Sequence, residues 1–443
     1  MRPTGRLHIG HYFGALQNWI RLQDDPEFEC FYFVADWHAL TSDYADSSQV
    51  AQNTIEIVTD YLAAGLDPKK SVIFQQSLVP EHAELHLLLS MVTPLSWLER
   101  VPTYKEAFEN VQDKDLHTYG FLGYPCLQTA DIVIYSNKLP LYVPVGEDQV
   151  SHVELSREIV RKFNFHFGLD IDVDGMIRAQ NSGNVDERTL VFLIRDGLDR
   201  VEAGGAVGSK FSQLGTVPNA EIHRMALRIR QLAASSGLIN LEQRLQNLED
   251  NKFTNDFQRF VGLHGAFKKF VHFADVLTEP SVLLTKTPRI PGLDGRKMSK
   301  SYGNAITLSE SDDDIRKKTK VMVTDPARKR RTDPGNPDVC PVYDWHKLFS
   351  PQETLDWAAH GCRTAEIGCI ECKSKMADHL IQWIAPVRER RLEYEKHPAR
   401  VLEIIEAGSK LARTEAQATM SRVREAVFGW DKKRKEIGSD GSQ

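Results

Sequence analysis

The chain has 443 residues, 41% of them apolar, and its 55 basic and 61 acidic side chains give a formal net charge of −6. This composition excludes a disordered polyampholyte, and the length predicts two to four domains, each large enough to bury its own core. The sequence has no apolar run long enough to span a membrane, and its first residues lack the apolar stretch of a secretory signal. We therefore expect a cytoplasmic protein that does not bind membranes.

Up to about residue 168, β-rich runs alternate with helical periodicity, which is typical of parallel strands joined by crossover helices. Strands are predicted at residues 29–35, 71–75 and 141–145, and a helix with the candidate C-cap Gly65 lies between the first two. This part of the chain is predicted to be an α/β domain with a parallel sheet.

Residues 169–275 interrupt this pattern. Asn219 can cap one helix, and Phe257 and Phe260 suggest another, whereas the glycines of residues 204–208 are expected to form a flexible loop. We interpret this segment as a helical insertion without a catalytic motif.

The last part of the chain is predicted to be mainly helical over residues 306–430, followed by a polar tail at 431–443. Side chains from Leu380 to Tyr394 step along one helical face, and this face is expected to continue past Pro398.

The segment His8-Ile9-Gly10-His11 precedes a helix predicted at residues 12–22. Its histidines are three residues apart and share one face of the first turn, where unpaired N–H groups and the helix dipole favour phosphate. Gly10 would let a base or ribose approach the backbone. Two ordinary histidines at the start of a helix are the alternative interpretation.

A second segment, Lys297-Met298-Ser299-Lys300-Ser301, follows Gly295 and places two lysines three residues apart. A mobile loop with two cations can close over a triphosphate and stabilise the charge that develops as pyrophosphate leaves. A solvated basic loop is the alternative for this segment by itself.

Together, these segments resemble the two signatures of class I aminoacyl-tRNA synthetases, and the sequence around them is similar to tryptophanyl-tRNA synthetases. The resemblance covers residues 1–168 and 276–430. It implies a Rossmann-like catalytic domain formed by 1–168 and 276–305, and an all-α domain at 306–430 that binds the anticodon. At 169–275 the family usually has only a short connection.

The resemblance also implies that His8, His11, Lys297 and Lys300 are catalytic and act on ATP with Mg²⁺. The implied ATP-binding residues are Arg2, Pro3, Thr4, Gly10, His11, Gly146, Glu147, Asp148, Ile290, Lys297, Met298, Ser299, Lys300 and Ser301. Gly146 follows a predicted strand and precedes a predicted helix, as a ribose-binding turn would.

The amino acid substrate is indicated by Tyr124, Gln128 and Asp131, which share one face of a predicted helix. An Asp that faces a pocket can accept the indole N–H of tryptophan. The resemblance implies this role for Asp131, and it implies that Tyr124 and Gln149 hold the amino group. Gln128 replaces a Met of some members and makes the wall more polar. An Asp satisfied by a helix cap or salt bridge is the alternative.

Members of the family normally have a full strand and a Ser-Gly turn before the segment that matches Pro3-Thr4-Gly5, whereas this chain begins almost at the turn. We therefore expect the first strand of the sheet, with its indole-facing side chain, to be missing from the chain as given.

The six cysteines do not have the even spacing of a disulfide framework, because four of them are clustered. This cysteine tetrad comprises Cys340, Cys362, Cys369 and Cys372. It favours a metal centre over free buried thiols. Some tryptophanyl-tRNA synthetases carry a [4Fe-4S] cluster on cysteines spaced like these, so the resemblance implies such a cluster, with zinc as the alternative.

Two basic clusters, at residues 317–320 and 328–331, are predicted to contact tRNA phosphates, although a solvated charge run is the usual meaning of such clusters. Single-stranded anticodon bases would be read by stacking and edge contacts. The expected partners are L-tryptophan, ATP, tRNA(Trp) and a second copy of the chain, but not DNA.

The leading hypothesis is thus an enzyme that joins tryptophan to its tRNA through tryptophanyl-adenylate. A small-substrate nucleotidyltransferase would share the histidine segment, but it would not explain the lysine loop. A tyrosyl-tRNA synthetase would share both segments, and a non-catalytic RNA-binding paralogue could retain them.

Overall fold

The computed structural model describes residues 1–102, 104, 116–136, 139–202, 216–236, 265–285, 290–431, 433, 434 and 437. The predicted loop at residues 204–208, the helix expected around Phe257 and Phe260, and most of the polar tail lie outside this part of the chain. Among the described helices, none is long and apolar enough to cross a membrane.

The described strands are short and lie in the first two thirds of the chain. They are β1 (Cys30–Val34), β2 (Ser71–Gln75), β3 (Leu141–Val145), β4 (Leu169–Ile171), β5 (Val271–Phe273) and β6 (Pro280–Leu284). The three strands predicted from the sequence are confirmed, the first of them one residue shorter at each end.

The helices of the first 236 residues alternate with these strands. They are α1 (Ile9–His11, continued as Tyr12–Leu16 and Gln17–Gln23), α2 (Asp36–Asp43), α3 (Val50–Ala64), α4 (Glu81–Val92), α5 (Leu95–Leu98), α6 (Tyr119–Val133), α7 (Val150–Phe167), α8 (Val173–Asn181), α9 (Val185–Glu202) and α10 (Asn219–Ser236). Helix α1 begins three residues earlier than predicted, and Gly65 ends α3 with a φ of 124°.

The described helices of the last part are α11 (Asp312–Lys320), α12 (Pro341–Phe349), α13 (Gln352–Arg363), α14 (Cys369–Lys396) and α15 (Pro398–Phe428). The apolar face predicted to continue past Pro398 is interrupted, because His397 leaves the helical conformation with φ −129° and ψ 61°. A proline restricts the preceding residue and supplies no N–H, so Pro398 starts a new helix.

The strands form pairs in the described part of the chain: β1 with β2 and β3 with β6 are parallel, and β4 with β5 is antiparallel. The β3–β6 pairing brings the chain back beside β3 after the 169–275 segment. The backbone of Met1 lies along the end of β1, where its nitrogen donates to the Phe33 oxygen and its oxygen accepts from the Ala35 nitrogen, each at 2.8 Å.

The α/β part and the helical part share a hydrophobic core, whereas one core per domain was expected from the sequence. One cluster joins Ile9 and Ile57 of the first part to Trp345 and Leu380 of the helical part. By contrast, residues between Leu169 and Val271 form a cluster of their own. The helical part is therefore packed as an extension of the α/β unit.

Helix α15 covers β2 at a close crossing. A Cβ added to Gly408 would lie 1.9 Å from the backbone oxygen of Ile73, so this crossing requires glycine. The neighbouring Ser409 hydroxyl accepts a hydrogen bond from the backbone nitrogen of Gln75 at 3.3 Å. The C-terminal helix thereby supports the strand that leads into the site described below.

We expect Gly408→Ala to lower the free energy of unfolding by about 2 kcal/mol or more, because neither backbone can move aside locally. Urea unfolding measures this change. Gly14→Ala is the matched control, because Gly14 is exposed, helical and has no neighbour within 4 Å of an added Cβ. Equal stability of the two variants would contradict the crossing.

Candidate functional site

The segment before α1 is fixed by backbone hydrogen bonds on one side. The Ile9 nitrogen donates to the Ile306 oxygen at 3.0 Å, and the Leu308 nitrogen donates to the Leu7 oxygen at 2.9 Å. His8 therefore lies in a short antiparallel bridge with Thr307 directly before the first helical turn. The N-terminus of α1 is held in a defined position rather than on a free loop.

The rings of the two histidines of this segment are in contact, with centroids 3.6 Å apart and planes tilted by 31°. The His11 Nδ1 atom accepts from the His8 backbone nitrogen at 3.2 Å, and the buried Nδ1 atom of His8 has no hydrogen-bond partner among the described residues. Burial is the main cause that lowers the pKa of His8 to about 4, and the charge of Lys300 contributes a smaller effect in the same direction. Burial also lowers the pKa of His11 to about 3, with a smaller contribution from His8. Both rings are therefore neutral at pH 7.

Gly10 permits this arrangement. A Cβ at Gly10 would lie 3.0 Å from the His8 ring and 3.5 Å from the sulfur of Met298. The buried Met298 side chain thus brings the lysine loop against the histidine segment, although the two are far apart in sequence.

Lys300 makes a direct contact between the two segments. Its Nζ atom donates to the Thr4 oxygen at 2.6 Å and to the Arg6 oxygen at 3.0 Å. Burial lowers the pKa of Lys300, and the carboxylate of Asp60 opposes this effect. Lys297, in contrast, is exposed, so the two lysines differ in environment.

The lysine loop is braced by Asn304. Its Oδ1 atom accepts from the Ser299 nitrogen at 2.7 Å, and its Nδ2 atom donates to Asp294 at 2.7 Å and to the Lys297 oxygen at 3.1 Å. Ser301 follows in the 3₁₀ turn Lys300–Tyr302. The loop therefore has a defined conformation that holds one lysine inward and one outward.

The other residues implied in ATP binding are divided between buried and exposed positions. Pro3 and Ile290 are buried, whereas Arg2 and Thr4 are exposed, and Arg2 donates to the Ser42 hydroxyl at 3.2 Å. In the sequence, three of these residues precede the histidine segment, and Ile290 precedes the lysine loop.

The turn at Gly146 lies at the carboxyl end of β3 and leads through the 3₁₀ turn Glu147–Gln149 into α7. Glu147 and Asp148 are exposed, and the Gln149 amide donates to Asp148 at 3.3 Å. The turn thus offers free carboxylate surface at the edge of the sheet where ligands bind in parallel α/β folds.

Asp131 of α6 is buried and bound by three side chains. Its two oxygens accept from Gln76 at 2.7 Å and 2.9 Å, and they also bind His38 at 2.9 Å and His82 at 2.5 Å. Burial by itself would raise the pKa of Asp131, but the combined effect of His82 and His38 is larger and lowers this pKa to about 2. The carboxylate is therefore ionised and held in one orientation.

These three partners of Asp131 were not predicted from the sequence. His38 lies in α2, directly after β1, and Gln76 follows β2, while His82 is in the first turn of α4. The signal that could have found them is their position after the carboxyl ends of parallel strands. The His82 ring also contacts the Tyr135 hydroxyl at 2.5 Å, which extends the network into the core.

Tyr124 and Gln128 lie on α6 with Asp131, as the spacing predicted, and both are half-buried. The Tyr124 ring lies 6.5 Å from that of His38 and 5.8 Å from that of His152. The three predicted side chains therefore share the helix face that meets the histidine partners of Asp131.

The cysteine tetrad converges from three helices. Cys340 precedes α12, Cys362 is in the last turn of α13, and Cys369 and Cys372 are in the first turn of α14. Burial, followed by the other three thiols, raises the pKa of Cys372 to about 12. Even so, no group of three or more ligand side chains among the described residues has the arrangement of a metal site.

Arg328 is the member of its basic cluster that the structure does not place at the surface, whereas the prediction that the cluster contacts phosphate stays a prediction for its exposed members. The Arg328 side chain is buried, and it donates to the Ile367 oxygen at 2.6 Å and approaches the Cys362 sulfur at 3.8 Å. In the other basic cluster, Lys318 pairs with Glu310 at 2.8 Å. Lys329 and Arg330 remain exposed. Each cluster thus uses part of its charge inside the protein.

Comparison with known proteins gives the family. The family model described as tRNA synthetases class I (W and Y) matches residues 1–177 and 251–384. The chain is 45% identical over 429 residues to the tryptophan–tRNA ligase of Ralstonia nicotianae, with 96% of each protein covered. It is 39% identical over 428 residues to the tryptophan–tRNA ligase of Thermotoga maritima, covering 96% of this chain and 97% of that protein.

A solved structure, tryptophanyl-tRNA synthetase from Campylobacter jejuni complexed with ADP and tryptophan, has a TM-score of 0.64 at 24% identity and covers 96% of this chain and 98% of that chain. This likeness shows a shared fold. The Ralstonia alignment spans nearly all of both proteins, so that relative shares the 169–275 segment and does not have a short connection there.

Proposed function

Because the chain belongs to the class I tRNA synthetases for tryptophan and tyrosine, we propose that it is a tryptophan–tRNA ligase. It activates L-tryptophan with ATP and transfers the aminoacyl group to tRNA(Trp), in the cytoplasm where translation takes place. The buried, ionised carboxylate of Asp131 is the observation that carries the choice of tryptophan.

ATP binds at the contact between the histidine segment and the lysine loop. The neutral rings of His8 and His11 donate hydrogen bonds to phosphate oxygens, and the His8 Nδ1 atom is a buried polar atom available for such a partner. The N-terminus of α1 adds its N–H groups and dipole. Gly146 and the carboxylates after it receive the ribose.

In the activation step, a carboxylate oxygen of tryptophan attacks the α-phosphorus of ATP, and the bond from that phosphorus to the β-phosphate oxygen breaks. Negative charge develops on the departing pyrophosphate. Lys297 and Lys300 stabilise this charge, and Mg²⁺ bound to the phosphates adds to the stabilisation. Lys300 already contacts the segment that carries the histidines, whereas Lys297 is free to approach the phosphates from solvent.

Tryptophan is selected by its indole N–H. A carboxylate has about four lone-pair sites, and four contacts address Asp131 in the structure, because Gln76 bonds both of its oxygens while His82 and His38 each bond one. The indole N–H would take the place of one of the two Gln76 contacts, which leaves both histidines in position. Tyr124 and Gln149 hold the amino group. His38 and His82 keep the carboxylate ionised and oriented for a substrate donor.

The competing functions explain less of the chain. A small-substrate nucleotidyltransferase would have no use for the lysine loop that contacts Thr4 and Arg6. A non-catalytic paralogue would not need two signatures packed against each other. A tyrosyl-tRNA synthetase shares both signatures, so it is distinguished by the substrate test below.

The homodimer proposed for this chain is supported by an exposed apolar surface on α4 and α5. Leu87, Met91 and Leu95 are 54%, 70% and 60% exposed. A patch of this kind marks an interaction surface, and a second copy of the chain would cover it. The patch lies on the helix that carries His82, so dimerisation would stiffen the helix behind Asp131.

The exposed Lys329 and Arg330 are the side chains proposed to contact tRNA(Trp) phosphates.

The proposal of a [4Fe-4S] cluster rests on the chemistry of the cysteine tetrad and not on its geometry, which does not have the arrangement of a metal site in the described residues. The donor set is four thiols with unequal linkers, and the buried guanidinium of Arg328 approaches Cys362 where it would offset the charge of thiolates. Cys340, Cys362, Cys369 and Cys372 would hold the cluster. Its contribution would be structural, because adenylation requires no electron transfer; zinc is the alternative.

The first test is substrate-dependent exchange between pyrophosphate and ATP. We expect exchange with tryptophan at a kcat/KM about 10⁴-fold above that with tyrosine or phenylalanine, because Asp131 would otherwise lose a partner. Asp131→Asn should raise the KM for tryptophan more than that for ATP. Comparable rates with tyrosine would overturn the choice of substrate.

The second test concerns the two lysines. Lys297→Ala and Lys300→Ala should each lower kcat of exchange by about 10² to 10³, with little change in tryptophan affinity, because the cations act on charge that develops in the transition state. Arg296→Ala, next to Lys297, is the control, because Arg296 pairs with Asp294 within the loop. If both lysine variants turn over like this control, the loop has no catalytic role.

The third test concerns the cysteine tetrad. Protein purified without oxygen should be brown and contain iron and acid-labile sulfide, and Cys369→Ser should remove the colour while tryptophan activation continues. Cys126→Ser, outside the tetrad, should keep the colour. A colourless protein with one zinc per chain would establish the alternative metal instead.

A further inference from the structure

We propose that Asp60 and Arg391 form a positioning pair for the adenylation reaction, which holds the backbone in front of His8 in its active place. The inference rests on the proposed function and assigns a role to two residues outside both signatures. Neither side chain lies among the ATP-binding or tryptophan-binding residues.

Asp60 supplies the anchor. Its side chain, on α3, is fully buried, and its Oδ2 atom accepts a hydrogen bond from the backbone nitrogen of Leu7 at 2.6 Å. Leu7 directly precedes His8, and its oxygen is already bound by the Leu308 nitrogen. Asp60 therefore fixes the peptide group before Leu7, and the Leu308 nitrogen fixes the peptide group between Leu7 and His8, so the backbone is held on both sides of Leu7.

Arg391 holds the anchor from the helical part of the chain. Its guanidinium, 2% exposed, donates to Asp60 and Glu56 of α3 and to Glu395 of its own helix. A planar guanidinium can address several carboxylates at fixed angles, which an ammonium cannot do. Arg391 is therefore the group that sets the orientation of the Asp60 carboxylate.

The same network reaches both signatures. Arg6 bonds Glu56 at 2.9 Å and Glu395 at 3.5 Å, so it shares both glutamates with Arg391. The oxygen of Arg6 accepts from Lys300, and the Asp60 carboxylate favours the charged form of Lys300. Three carboxylates and three cations are thus balanced around the backbone that connects the two signatures.

The stability of the fold does not by itself account for such a pair. Burial of a carboxylate and a guanidinium carries a desolvation cost, and apolar residues of the same volume often give equal or greater stability. Burial raises the pKa of Asp60 to about 6 even though Arg391 and the Leu7 N–H favour its charged form. We attribute the pair to the precision with which it places Leu7 and His8.

The test compares Arg391→Met with Arg390→Met in tryptophan-dependent pyrophosphate exchange. Arg390 is the matched control, because its Nε atom donates to the Ala63 oxygen at 2.7 Å, which joins the same two helices without contact to residues 6–8. We expect Arg391→Met to lower kcat about 10²-fold, because small misplacements of catalytic groups have effects of this size. KM for tryptophan should change by less than about twofold, and the control should keep its kcat.

The pH dependence of kcat distinguishes a positioning role of Arg391 from a purely structural one, because a structural role would leave this dependence unchanged. The charged groups that act on Asp60 are Arg391 of α14, Glu56 of its own helix, and Lys300. Without Arg391, the pKa of Asp60 rises further, so its carboxylate is protonated at neutral pH and ionises as the pH increases. The kcat deficit of Arg391→Met should therefore shrink towards pH 9, whereas that of Lys297→Ala should not.

Arg391→Lys retains the charge and should recover part of the loss. If Arg391→Met does not fold, as judged by circular dichroism, Arg391→Lys is compared with Arg390→Lys and should show a kcat about 10-fold lower. Equal kcat and equal pH profiles of the position-391 variant and its control would overturn the positioning role alone. Absence of tryptophan-dependent exchange in the wild-type protein would instead overturn the proposed function.

Discussion

The contact of the Lys300 ammonium with the backbone oxygens of Thr4 and Arg6 is the interaction on which the site depends. It joins two segments that are almost 300 residues apart in sequence. The hydrogen-bond acceptors of the Lys300 ammonium are neutral carbonyl oxygens, and the carboxylate of Asp60 favours its charged form. The contact therefore brings a cation to the place where His8 and His11 offer neutral donors, and the rest of the fold serves to keep these groups together.

The packing of the helical part explains how that contact is maintained. Its core is shared with the α/β part, and α14 extends from Cys369 and Cys372 at its start to Arg391 near its end. This 28-residue helix is about 42 Å long and contains Pro386 in its interior. One helix thus connects the cysteine tetrad to Arg391, which binds the Asp60 side chain behind the Leu7 nitrogen.

The sequence predicted the elements with strong local signals. The strands at 71–75 and 141–145 and the helix ended by Gly65 follow from periodicity and glycine chemistry. It did not predict the partners of Asp131, since His38, Gln76 and His82 come from three elements that meet only in the folded chain. Likewise, Arg328 looked like a surface charge, and only tertiary packing shows that it is buried beside Cys362.

The proposed choice of substrate depends on a contact between the oriented Asp131 carboxylate and the indole N–H of tryptophan. The most direct measurement compares tryptophan with an analogue in which sulfur replaces the indole N–H and leaves the shape nearly unchanged. We predict that kcat/KM for pyrophosphate exchange is at least about 10²-fold lower for the analogue, with an unchanged KM for ATP. Equal kcat/KM values for the two compounds would contradict this claim.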